Sequence, residues 1–190
     1  MVQGIPTKYA ALQFRSRLEA KWARFFDLCG WTWSYEPYDL AGWIPDFALG
    51  DKLQTLVEVK PVMSVTELWE PDVEKIERNT AVTDNVIVLG ADPTTWLDGH
   101  AVDAAPCIGW SVYNGDLHFG WTEGNTLPGL CCMDNAWISY VWAEMKHKQG
   151  RVSGGWNVPM DARTMLLTYW RQACNETQWM RGVDRHGDSR

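Results

Sequence analysis

Apolar positions recur at helical spacing near the start of the chain, where Phe14, Leu18, Trp22, Phe25 and Phe26 mark one stripe. This predicts an amphipathic helix that opens near Thr7, runs to about Cys29 and stops at Gly30, a residue suited to the left-handed conformation past a helix end. Three short runs rich in β-branched and aromatic residues follow, at 31–36, 43–49 and 55–60, and they read as strands. Pro37 ends the first, and Gly50-Asp51-Lys52 supplies a tight turn between the second and third. Beyond Pro61, Ser64-Val65-Thr66-Glu67 starts a second helix that continues to about Thr80 with a local interruption near Pro71. The run 85–89, capped by Gly90, suits a short buried strand, and a strand, helix, strand sequence makes a parallel crossover. The order is α-β-β-β-α-β: an α/β fold with a mixed central sheet flanked by helices.

Later signals are sparser. Residues 93–106 read as loop, and the runs at 110–113 and 116–119 flank Asn114-Gly115, the strongest hairpin signal in the chain. Asp134 is a candidate cap for a helix carrying Trp137, Tyr140, Val141 and Met145, and Asp161 for another carrying Met165, Leu166, Tyr169 and Ala173. The expected organisation is a core at 1–92, a loop and hairpin insertion packed on it at 93–133, C-terminal helices at 134–179 and a polar, disordered tail at 180–190.

With 190 residues, the chain supports one substantial core. No apolar run is long enough to cross a bilayer, and the first residues lack a secretory pattern, so a soluble cytoplasmic protein with no membrane partner is expected. Cys29, Cys107, Cys131, Cys132 and Cys174 are odd in number and form no C-x-x-C pair, which argues against a disulfide framework and against structural zinc. A site built from Cys107, His118, Cys131 and Cys132 is the minor alternative. A net charge of -7 runs against nucleic-acid binding, yet Lys8, Arg15, Arg17, Lys21 and Arg24 cluster in the first helix and give it a basic side. Thirteen tryptophans exceed ordinary usage; they serve as core or interface anchors or, where exposed, as stacking platforms for bases.

Candidate chemistry centres on the second and third strands. Alternation puts Ile44, Asp46 and Ala48 on one face of the second, and Leu56, Glu58 and Lys60 on one face of the third, so the charges converge. Asp is disfavoured inside strands, and something must offset that misfit. The bland alternative is a solvated face with weak cross-strand ion pairs. Glu19 lies at the border of the apolar stripe of the first helix, one turn from Arg15 and Trp22; its bland alternative is an exposed pairing with Arg15.

Glu19, Pro45-Asp46 and Glu58-Val59-Lys60, in this order and among these elements, resemble the PD-(D/E)XK nuclease superfamily, which includes type II restriction enzymes, Holliday junction resolvases and the endonuclease subunits of heteromeric transposases. The resemblance spans about residues 10–90. It implies a restriction-endonuclease-like core and a metal-dependent deoxyribonuclease, endonuclease before exonuclease, acting on DNA. Asp46 and Glu58 would then hold Mg2+ or Mn2+ together with the Val59 carbonyl, Glu19 would reach the same site directly or through water, and Lys60 would orient or help deprotonate the attacking water. Arg15, Arg17, Lys75 and Arg78 are candidate DNA-backbone contacts, with surface ion pairing as the alternative for the last two. A catalytically silent DNA-processing or assembly module of the same fold is the competing reading, and the Trp-rich C-terminal half could supply a homodimer or protein-partner surface.

Overall fold

The computed structural model describes residues 4–40, 42–49, 55–63, 67–68, 70–79, 86–93 and 162–178, together with short strands between 107 and 140. The chain begins with a hairpin, β1 (Thr7–Tyr9) against β2 (Leu12–Phe14), where a helix opening near Thr7 was expected. Ala10 and Ala11 turn it with φ of 48° and 64°, the positive pair that a primed two-residue turn requires. The first helix, α1 (Arg17–Leu28), starts only after Ser16, whose hydroxyl accepts the Glu19 N–H as an N-cap. It stops as expected at Gly30, with φ of 69°.

Three strands follow: β3 (Trp33–Tyr35), β4 (Phe47–Leu49) and β5 (Thr55–Val59). The second is shorter than the expected 43–49, because Leu40 and Trp43 instead close a tight turn on each other, with N···O distances of 2.8 and 3.2 Å. Gly42 inside that turn has φ of 94°, which disfavours any side chain there. Helix α2 (Glu70–Asn79) carries Pro71 in its first turn, where a missing N–H costs nothing. Strand β6 (Val86–Leu89) then pairs parallel to β5, as the strand, helix, strand order anticipated. Residues 50–54, 64–66 and 80–85, which include the expected Gly50-Asp51-Lys52 turn and the Ser64-Val65-Thr66 helix start, lie outside the described residues.

Further strands are β7 (Cys107–Ile108), β8 (Trp110–Tyr113), β9 (Asp116–His118), β10 (Trp121–Thr122), β11 (Asn125–Thr126), β12 (Leu130–Met133) and β13 (Trp137–Tyr140), before α3 (Ala162–Glu176). The expected hairpin is present as β8–β9, and β8 joins β6 to extend one mixed sheet in the order β3-β4-β5-β6-β8-β9. Residues 137–140 are a strand paired antiparallel to β12, and not the helix expected after Asp134. Trp137, Ile138 and Tyr140 suit a pleated surface once a partner strand exists, although the spacing of Trp137 and Tyr140 also mimics a helical stripe. Cys107 and Cys131 are register partners on β7 and β12, whereas His118 belongs to the six-stranded sheet. The helix expected after Asp161 is α3; Asp161 itself, the 141–150 segment and the tail from 180 lie outside the described residues.

Strand alternation divides the core in two. Phe47, Leu49, Val57, Val59, Ile87 and Leu89 point to the side covered by α1 and Ala173 of α3, while Ala48, Leu56, Val86 and Val88 meet Trp43 and Ile76 of α2 on the other. The first cluster is strongly aromatic: Phe47 is fully buried with ring neighbours Phe14, Phe26, Trp33 and Tyr35. Among the described residues, no helix is long and apolar enough to cross a membrane. Phe47→Ala should therefore lower stability by about 3–5 kcal/mol, read as a fall in the urea midpoint with an unchanged denaturant slope.

Candidate active site

Three carboxylates are drawn toward one cleft from three elements. Asp46 immediately precedes β4, Glu58 lies in β5 and Glu19 in the first turn of α1, with only 4, 9 and 7% of their surface exposed. The register explains the first two: Ala48 is opposite Leu56, so the positions two residues away, Asp46 and Glu58, share the same side of the sheet. The cleft, of about 410 Å³, is also lined by Arg15, Lys60 and Lys75, so three formal negative charges face three positive ones. Arg17 and Arg78 lie outside this lining. The Arg17 Nε is buried without a hydrogen-bond partner, and Arg78, exposed, sits 3.8 Å from Glu74.

Each carboxylate has its own donors. The Val59 N–H donates to Asp46 Oδ2 at 2.7 Å, and the Arg15 guanidinium lies 2.6 Å from Oδ1. It is thus the Val59 N–H that meets Asp46. The Trp43 indole N–H donates to Glu58 Oε2 at 2.9 Å, while the Lys60 ammonium lies 3.1 Å from Oε1. Lys60 also reaches Asp72 Oδ1 at 3.2 Å, which ties the end of β5 to the first turn of α2. Glu19 accepts from the Ser16 hydroxyl at 2.6 Å, from the Tyr35 hydroxyl at 2.7 Å and from the Arg15 N–H at 3.2 Å. With Ser16 capping the Glu19 N–H at 3.1 Å, this is a variant of the capping box. Glu19 is therefore buried and hydrogen-bonded, and the exposed pairing does not apply.

Burial is the largest influence on Asp46 and raises its carboxyl pKa well above the ordinary value; repulsion from Glu58 and Glu19 adds to the rise, and the Val59 N–H and Arg15 offset only part of it. Burial works against the Lys60 ammonium, but Glu58 and then Asp72 outweigh it, so Lys60 keeps its proton above the usual lysine range. The Tyr35 phenol is raised by burial and then by its bond to Glu19, which keeps it a donor.

Among the described residues, no group of three or more Asp, Glu, His or Cys side chains is gathered closely enough to hold a metal ion. Glu19 is held by Ser16 and Tyr35, while Asp46 and Glu58 stand on the same side of the sheet. That pair fits Mg2+ or Mn2+: both are hard oxygen donors on the same buried side, and Mg2+ is commonly held by one or two carboxylates plus water and substrate phosphate. The residues missed from sequence are Ser16, Tyr35, Glu36, Trp43 and Asp72; of these, only Ser16 carried a signal, in the Ser-x-x-Glu spacing to Glu19. No family model, characterised protein or solved structure matches this chain.

Ser16→Ala removes the cap and one Glu19 donor, and should cost about 1 kcal/mol in chemical denaturation. For Asp46, a folded-state pKa above the unfolded value of about 3.9 means that its contribution to stability is complete below that pH and is lost as pH rises through the elevated folded pKa. Asp46→Asn should raise the metal-free melting temperature near neutral pH, by about 2–4 °C per kcal/mol relieved, and flatten its decline with pH in a thermal-melt series.

Proposed function

We propose that this chain is a metal-dependent deoxyribonuclease of the PD-(D/E)XK type that hydrolyses DNA phosphodiester bonds, as an endonuclease before an exonuclease. The observation that carries this reading is the convergence of Asp46, Glu58 and Lys60 from adjacent strands in one cleft, with Glu19 entering from the N-terminus of α1. The order α1-β3-β4-β5-α2-β6 supports the restriction-endonuclease-like form of the core. Asp46 and Glu58 would hold Mg2+ or Mn2+, which supplies Lewis acidity toward the phosphoryl oxygen and a hydroxide nucleophile near neutral pH.

The remaining roles belong to the protein. Lys60, kept as an ammonium by Glu58 and Asp72, orients water and offsets charge gathering on the phosphate. Glu19 holds the Ser16–Tyr35 corner of the cleft and acts on the reaction through water. Lys75, at the cleft, is better placed than Arg17 or Arg78 to meet the DNA backbone. Cutting both strands requires two such sites and hence a second copy, for which the Trp-rich C-terminal half is the candidate surface.

A second reading, a catalytically silent DNA-processing or assembly module, is favoured by one observation: Asp46 and Glu58 have counter-ions within the protein, Arg15 and Lys60. Incubation of the purified protein with supercoiled, linear, branched and single-stranded DNA separates the two. Nicking or linearisation in Mg2+ or Mn2+, abolished by EDTA and reduced at least about 100-fold by Asp46→Ala and by Lys60→Ala, is the expected result. A folded wild-type protein that cleaves none of these substrates with either metal would favour the silent module.

A further inference from the structure

We propose that Arg15 is a built-in counter-ion of Asp46 that a divalent cation must displace, so that the guanidinium sets the threshold metal concentration of the cleft; this rests on Asp46 and Glu58 being the metal ligands. Asp46 offers only one exchangeable oxygen. Its Oδ2 is fixed by the Val59 N–H within the sheet, and Oδ1, the other, carries the Arg15 guanidinium at 2.6 Å. The Asp46 side chain is 6% exposed and that of Arg15 59%, so the guanidinium approaches from the solvent side. Like charges do not share a carboxylate oxygen at short range without a large penalty, and entry of a dication therefore requires the guanidinium to move.

Glu36 gives it a place to go. Its carboxylate lies 2.7 Å from Arg15 Nε, and its N–H donates to the Asp46 carbonyl at 2.9 Å, which fixes the two acids side by side. Glu36 is held there with φ of 45°, a left-handed backbone conformation uncommon for a residue with a side chain. A guanidinium has five donors and spans two carboxylates; released from Asp46, it stays anchored at the cleft through Glu36. Lys60 is a poorer candidate for this exchange, because it is only 20% exposed and is also tied to Asp72.

The test is Mn2+ binding to the full chain at pH 8 without DNA, followed by calorimetry and by the electron paramagnetic resonance signal of free Mn2+, for wild type, Arg15→Gln and Lys75→Gln. Lys75 lines the same cleft, so its variant reports the effect of removing a nearby positive charge. Arg15→Gln should tighten Mn2+ binding by about tenfold and Lys75→Gln by much less. Equal tightening by the two variants, or unchanged or weaker binding by Arg15→Gln while wild type binds, would overturn the displacement and leave the metal site standing. Absence of Mn2+ binding in all three folded proteins would overturn both.

Discussion

The hydrogen bond from the Val59 N–H to Asp46 Oδ2, at 2.7 Å, joins an acid just outside β4 to the backbone of the strand that carries Glu58. It obliges a carboxylate to sit where both faces of the sheet are covered, and the surrounding structure answers that obligation. Arg15 supplies a positive charge from the entrance of α1, Lys60 supplies another from the end of β5, and the Trp43 indole satisfies Glu58. An isolated buried carboxylate would be prohibitively unfavourable; hydrogen-bonded and flanked by cations, it is tolerated. The Gly42 turn belongs to the same arrangement, because it brings Trp43 back over the site.

The division of the core supports this polar spot. On one side of the sheet the aromatic cluster around Phe47 fixes α1, whose capped N-terminus holds Ser16 and Glu19. On the other, Ile76 seats α2, and its first turn presents Asp72 to Lys60. The two helices that bury the sheet thus also aim side chains at one end of it. A cavity made beneath either helix would move charged groups as well as apolar ones, and damage at Phe47 or Ile76 would be felt in the cleft.

Much of the central arrangement was legible from alternation alone. Side chains two apart in a strand share a face, so alternation alone puts Asp46 with Ala48 and Leu56 with Glu58, and β5–β6 parallel pairing follows from the intervening helix. Local signals in conflict were harder to read. Phe14 extends the apolar stripe of α1 backward, yet Ser16 and Glu19 form a cap that starts the helix later, and the preceding residues pair as a hairpin. The strand at 137–140 depends on β12, a partner that periodicity cannot reveal. Pairing of Arg15 with Asp46 spans 31 residues, and the Lys60–Asp72 contact requires the start of α2 to stand beside the end of β5. Such contacts arise from tertiary placement, which the spacing of residue types does not encode.

The α1–α3 packing sets the order in which the molecule is completed. Ala173 is fully buried in the cluster that holds α1, Trp170 packs tilted against Trp22 and edge-on to Phe25, and Arg24 pairs with Glu176 across a separation of 152 residues. During synthesis, α1 and the first strands leave the ribosome long before the helix that covers them exists. The nascent chain therefore lacks, until late in its translation, the α3 side chains that pack on Trp22 and Phe25, and closing this long loop comes late. A chain cut after residue 92 would keep every acid of the cleft and lose the α3 side chains that pack on Trp22 and Phe25.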